Sequence, residues 1–194
     1  MNNQPKAVLI VVDTETGGLD PTEACIIELA AQVLEIYPGQ IDPGAMFHIQ
    51  IKPDMPVGEK AAEVNGYTPE KWENALPPKV ALTAFTQWVD VQCGQYKGVR
   101  PMWTGCNPVF DLKFFTSDCR RHQVEKPGGL SYRVIDVQSM CLPLLLRNEI
   151  ESLSLSNLRK WAGCDGDQTH AADDDVLDTC QVIGAFLIRG ADAG

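Results

Sequence analysis

Acidic residues at three places in the chain could do chemistry together: Asp13 with Glu15, Asp111, and the run Asp173 to Asp175. The first pair closes the stretch AVLIVVDTETGGL, Ala7 to Leu19, in which the apolar residues Val8 to Val12 stop at Asp13. Two carboxylates on one face at the end of a core strand repel each other, and unpaired buried charge is expensive. Three answers are open: a Lys or Arg from elsewhere, a divalent cation, or solvation at the strand end. An oxygen-only donor set suits Mg²⁺ or Mn²⁺. Gathered at one sheet edge, Asp13, Glu15, Asp111 and one acid of the run Asp173 to Asp175 bring four formal negative charges, which two divalent cations balance. Two such ions ~3.5–4 Å apart can clamp the attacking and leaving oxygens of a phosphoryl displacement. That reaction also needs a group to take a proton from water. His170, five residues before Asp175, is the one of three histidines placed beside the acids, and a histidine there suits a general base.

These residues must be carried by elements that converge. A short apolar run rich in valine and closed by Gly17 and Gly18 reads as a strand buried on both faces. Alternation along it turns Asp13 and Glu15 to the same side. Ala24 to Ile36 and Met46 to Ile51 alternate as two further strands, so the opening reads as an antiparallel meander. A short helix is expected over Glu59 to Val64, before the turn signal Asn65-Gly66-Tyr67. A longer one is expected over Pro78 to Gln92, with Val80, Ala84, Phe85, Trp88 and Val89 on its apolar stripe. Val99 to Thr104 reads as a strand that delivers Asp111 into the first turns of a helix running to about His122. Tyr132 to Ile135 reads as a last strand, followed by an amphipathic helix to about Arg147. A helix over Ser154 to Trp161 ends at Gly163, and a final helix carries Asp173 to Asp175 and then Val176, Leu177, Val182 and Ile183. Strands first in a meander, then alternating with helices, predict a mixed α/β sheet with helices packed on it. Its element ends gather on one edge, where ligands bind.

The bulk composition narrows the classes. At 194 residues the chain suits one domain, 1–194, and no apolar run approaches the ~20 residues of a membrane span. The N-terminus MNNQPK lacks the layout of a signal peptide, and the seven cysteines are odd in number with no C-x-x-C pair. These features favour a reducing, cytoplasmic setting over a disulfide framework, a zinc site or a membrane partner. A net charge of −10 excludes holding long duplex by charge alone, so any nucleic-acid contact must be short and metal-dependent.

Taken together, three motifs resemble those of the DEDD exonucleases on a ribonuclease H-like fold, in the histidine (DEDDh) subclass. DTETGGL (Asp13 to Leu19) is similar to the family's D-x-E, TGCNPVFDL (Thr104 to Leu112) to its N-x-x-x-D, and HAADDD (His170 to Asp175) to its H-x-x-x-x-D. The resemblance implies a 3′–5′ exonuclease releasing nucleoside monophosphates from a single-stranded 3′ end, DNA favoured and RNA open. It implies Asp13, Glu15, Asp111 and Asp175 as ligands of two Mg²⁺ or Mn²⁺ and His170 as general base. Thr14, Thr16, Gly17, Leu19, Asn65, Asn107 and Phe110 become the expected substrate contacts. Thr14 and Thr16 would meet the terminal nucleotide and its 3′-hydroxyl, and Leu19 would wedge against its base. Asn65 stands where the family commonly has His, and Cys106 where many relatives have His before the Asn.

Plainer roles stand beside these. Asp136 follows a strand and suits a helix cap, Asn107 a turn, and Asp173 and Asp174 a helix N-terminus. His48 and His122 suit surface or packing positions, and Trp72, Trp88, Trp103 and Trp161 suit the core. A second enzyme class, the aspartate-nucleophile phosphatases with D-x-D-x-T, would make Asp13 a covalent nucleophile. Glu15 in place of Asp, and a His170 left without a role, count against it. A non-catalytic nucleic-acid-binding module would predict lost acids, and all four are present. Nothing in the sequence specifies a polymerase partner, and no C-terminal docking tail is evident.

Overall fold

The computed structural model describes residues 4–166 and 168–191. The apolar opening run forms β1 (Ala7–Thr16), and β2 (Ile26–Tyr37) and β3 (Gln40–Gln50) follow it as the antiparallel meander that alternation predicts. Pro38 and Gly39 turn the chain between β2 and β3. Gly39 sits at φ 76°, a left-handed conformation that glycine adopts without a Cβ clash. β4 (Met102–Gly105) and β5 (Val134–Asp136) add parallel to the sheet, giving the order β3-β2-β1-β4-β5. Helices α1 (Glu59–Asn65), α2 (Pro78–Gly94), α3 (Pro108–His122), α4 (Val137–Met140), α5 (Leu142–Leu146), α6 (Leu155–Ala162) and α7 (Ala172–Ala191) complete the mixed α/β architecture.

β1 is the middle strand because both of its faces are apolar. Val8, Ile10 and Val12 pack into one core with Leu82 and Phe85 of α2 and with Phe114 and Phe115 of α3. Leu9 and Val11 pack on the other face with Leu158 of α6 and with Val176, Val182 and Ile183 of α7. Each such fully buried side chain contributes roughly 1.5–3 kcal/mol, so the strand order and the two helical layers are fixed by the same few residues. Trp72 and Trp103 are buried, as expected, and the Trp72 indole N–H donates to the Ile27 carbonyl at 2.8 Å.

Four expectations are corrected. The helix expected from Asp136 to Arg147 is two, α4 and α5, because Pro143 has no N–H to continue the first. Val80 is exposed rather than part of the α2 stripe, which is centred on Phe85 and runs through Ala81, Leu82, Val89 and Gln92. β4 begins at Met102 instead of Val99, and β5 at Val134, which leaves Tyr132 exposed before it. The seven cysteines are all free thiols. Among the described residues no helix is long and apolar enough to cross a membrane.

Candidate active site

Alternation along β1 assigns its two acids to a face. Asp13 and Glu15 follow Leu9 and Val11 in register, so they point to the α7 side of the sheet, whereas Thr14 points to the α3 side with Val12. Asp175, in the first turn of α7, comes up to meet the pair. One carboxylate oxygen each from Asp13, Glu15 and Asp175 lie within 4.8 Å of one another. Asp111, in the first turn of α3, is fastened from the opposite face: its Oδ1 accepts the Thr14 N–H at 3.0 Å and the Thr14 hydroxyl at 2.7 Å. α3 can start this close to β1 because β4 ends in glycine. A Cβ on Gly105 would sit 2.8 Å from the Val12 carbonyl oxygen.

Burial raises the proton affinity of all four acids, and at Asp13 and Glu15 the neighbouring carboxylates add to it. Burial, and then the charges of Asp111, Asp175, Glu15 and Glu28, push the Asp13 carboxyl well above the ordinary carboxylate range. Burial, with Asp175, Glu28 and Asp111, carries Glu15 to about 8. Asp111 is lifted by burial to about 6, with the two Thr14 donors pulling the other way. Burial, and to a lesser degree the charge of Asp178, raises Asp175, opposed by the Gln168 amide, which donates to Oδ2 at 2.8 Å, and by the charges of His170 and Arg159.

No ion pair reaches any of the four among the described residues. The buried Oδ1 of Asp175 has no hydrogen-bond partner. An oxygen-only cluster with no resident cation and one buried oxygen left over fits hard divalent ions.

His170 lies on the loop two residues before α7, exposed, with φ 54°. Its charge acts on Asp175, and no hydrogen bond joins it to the four acids among the described residues. Thr14, Thr16, Gly17, Leu19, Asn65 and Phe110 line one pocket of about 440 Å³ that also takes in Glu15. Within it, Thr16 donates its hydroxyl to the Gly18 carbonyl at 2.7 Å. The Asn65 amide donates to the Thr16 carbonyl at 3.2 Å and accepts the Tyr67 N–H at 3.1 Å, tying the end of α1 to the end of β1. Asn107 is not in this pocket. It holds a left-handed turn at φ 57°, its N–H donates to Asp136 at 3.2 Å, and it lines a neighbouring pocket beyond Leu19 and Phe110. Asp136 caps α4 through the Gln138 and Ser139 N–H groups, the plainer of its two roles.

Sequence reasoning missed a second group behind the first. Glu28 of β2 stands opposite Glu15 in the ladder, buried, and pairs with His48 at 2.6 Å; the other ring nitrogen of His48 lies 3.7 Å from Asp173. Only the β2–β3 register, with Ala30 beside His48, brings them together, and spacing along the chain carries no signal for it. Asp173 therefore faces His48, while Asp174 accepts the Thr169 hydroxyl at 2.8 Å.

The profile of the RNase T family of exonucleases matches residues 10–183. The chain belongs to this exonuclease family. Among related proteins, the PolC-type DNA polymerase III of Thermotoga maritima is 30% identical over 183 residues, which cover 93% of this chain and 12% of the polymerase. Two solved structures share the fold of this exonuclease-family chain at low identity. One is the zinc-bound complex of E. coli exonuclease I with single-stranded DNA, with TM-score 0.72 and 21% identity over 96% of this chain and 41% of that one. The other is a 3′-exonuclease in 3′-end-specific recognition of a histone mRNA stem-loop, with TM-score 0.73 and 14% identity over 96% of this chain and 66% of that one. The chain thus spans about an eighth of the polymerase it matches and under half of exonuclease I. The mixed five-stranded sheet is the ribonuclease H-like fold of the DEDD superfamily.

Proposed function

We propose that residues 1–194 act as one exonuclease unit that removes nucleoside monophosphates from the 3′ end of single-stranded nucleic acid, DNA in preference to RNA, in the cytoplasm. The observation that carries the reading is the convergence of Asp13, Glu15, Asp111 and Asp175, joined by no ion pair among the described residues, at a pocket large enough for a nucleotide. The single-stranded DNA held by exonuclease I and the PolC-type relative favour DNA as substrate. Seven free cysteines favour a reducing compartment.

In this reading the four carboxylates hold two divalent cations, Mg²⁺ or Mn²⁺, which supply Lewis-acid charge for the phosphoryl oxygens in the transition state. Thr14 lines the nucleotide pocket and also fixes the Asp111 carboxylate in place through two hydrogen bonds. Thr16, Gly17 and Asn65 form the pocket wall, stiffened by the hydrogen bonds of Asn65, and Leu19 and Phe110 close it where the terminal base would stack. Water attacks phosphorus as a ring nitrogen of His170 takes its proton, the bond to the upstream 3′ oxygen breaks, and that oxygen takes up a proton from solvent to become the new 3′-hydroxyl. An exposed loop position suits His170 to that role, since the proton must leave for solvent in every turnover.

The test is digestion of matched 5′-labelled and 3′-labelled DNA and RNA oligomers with Mg²⁺, Mn²⁺ or EDTA. A 3′ label released at once as mononucleotide, a 5′ label shortening stepwise, and silence in EDTA are the expected results. Free phosphate as sole product with a trapped aspartyl-phosphate would assign the phosphatase class instead.

A further inference from the structure

The terminal-nucleotide pocket is the first of three that adjoin along α3. Leu19 and Phe110 line both it and a second pocket of similar volume, about 440 Å³, so they form the wall between the two. Pro21, Val109 and Lys113 line both the second pocket and a third, of about 360 Å³, which ends at Thr116 and Arg120. Ser117 holds the loop on the far bank, its hydroxyl donating to the Pro21 carbonyl at 2.8 Å.

Lys113 and Arg120 are exposed, and neither pairs with an acid among the described residues. The one carboxylate among the residues that line the second and third pockets, Asp20, is occupied by the N–H and hydroxyl of Thr22. In a chain of net charge −10, a run of pockets with basic residues at its rim and the acidic cluster at its head has a direction and a charge.

We propose that this groove is the track for the strand upstream of the scissile phosphate, with Lys113 and Arg120, about 10 Å apart along the helix at ~1.5 Å per residue, against phosphates about three nucleotides apart and Val109 and Pro21 beneath the sugars and bases. The inference rests on the exonuclease reading above. From Phe110 to Arg120 the helix rises about 15 Å at ~1.5 Å per residue, room for about four stacked nucleotides at ~3.4 Å each. The chain therefore grips a short stretch of single strand despite its overall acidity, and substrate preference rises with length and levels off after about five nucleotides.

The experiment compares kcat/KM for a dinucleotide and an octanucleotide, in the native protein, in Lys113→Glu/Arg120→Glu, in the neutral pair Lys113→Gln/Arg120→Gln, and in Lys97→Glu, at the opposite end of the sheet. The expected result is an octanucleotide-to-dinucleotide ratio that falls about tenfold or more in the charge-reversed pair and less in the neutral pair, with Lys97→Glu like the native protein. The salt slope of octanucleotide affinity should drop by about 1.4, at ~0.7 per phosphate contact on a single strand. A ratio near unity in the native protein, or an equal fall with Lys97→Glu, overturns the track while leaving the exonuclease reading intact. A protein that hydrolyses neither oligomer overturns that reading and the track with it.

Discussion

Asp118 and Asp178 lie about as deep as Asp111 and Asp175, but the two pairs are answered differently. Arg121 reaches Asp118 at 2.5 Å, where the Ile26 N–H also donates, and Arg159 pairs with Asp178 while donating to the carbonyls of Asp165 and Gly166. Glu28 likewise has His48. Among the described residues no ion pair reaches Asp13, Glu15, Asp111 or Asp175; burial raises the proton affinity of all four, as it does that of Asp118, and at Asp13 and Glu15 the neighbouring carboxylates raise it further. This chain supplies an arginine or a histidine where a buried carboxylate only holds structure. Where it withholds one, the proposed enzyme would hold divalent ions.

The largest effect should come from removing one unanswered charge. Asp13→Asn is expected to take hydrolysis of a labelled oligomer to background and yet to raise the melting temperature in EDTA, because it relieves repulsion that nothing in the protein offsets. A variant that keeps its activity, or melts lower in EDTA, breaks the contrast. His170→Ala separates proton transfer from cation binding. The rate should drop by roughly 10²–10⁴ while cation binding persists, and a loss under about tenfold would assign the proton to another group.

On the answered side the sign reverses. Arg159→Met strands a buried carboxylate and should cost about 3–5 kcal/mol, a fall in melting temperature of roughly 6–20 °C for a chain of this size. The smallest effect is on pH dependence. Glu15 and Asp111 bind their protons more tightly folded than unfolded, with folded values of about 8 and about 6 against 4.5 and 3.8. Their contribution is therefore complete below about pH 4 and is lost as pH rises through 6 to 8. Metal-free protein should melt progressively lower from pH 5 to about 8.5 in a pH series of thermal scans. Saturating Mg²⁺ should flatten that decline.

Much of this was legible in the chain before any coordinates. Val8 to Val12 specify a strand buried on both faces, and alternation past them places Asp13 and Glu15 together without knowledge of any neighbour. Asp111 and Asp175 could be found because each sits in the first turn of a helix whose start is marked, by Pro108 and by Ala172 after the polar loop. What stayed hidden depended on pairings between distant elements. Glu28 and His48 meet only through the β2–β3 register, and Thr14 binds Asp111 only because β4 delivers α3 beside β1. Gln168 reaches Asp175 from a loop with no periodicity to read. Val80 was misplaced because an apolar residue one position off the stripe satisfies the same spacing as one on it. The pairing of Arg159 with Asp178 carries no sequence signal, since helix patterns in α6 and α7 do not reveal which helices pack together.

The most direct test is calorimetric titration of the metal-free protein with Mn²⁺ in two buffers of different ionisation enthalpy near neutral pH. The account predicts two ions bound per chain with protons released as they enter, and loss of that binding in Asp13→Asn and Asp175→Asn. Binding without proton release, or binding that survives both substitutions, would contradict it.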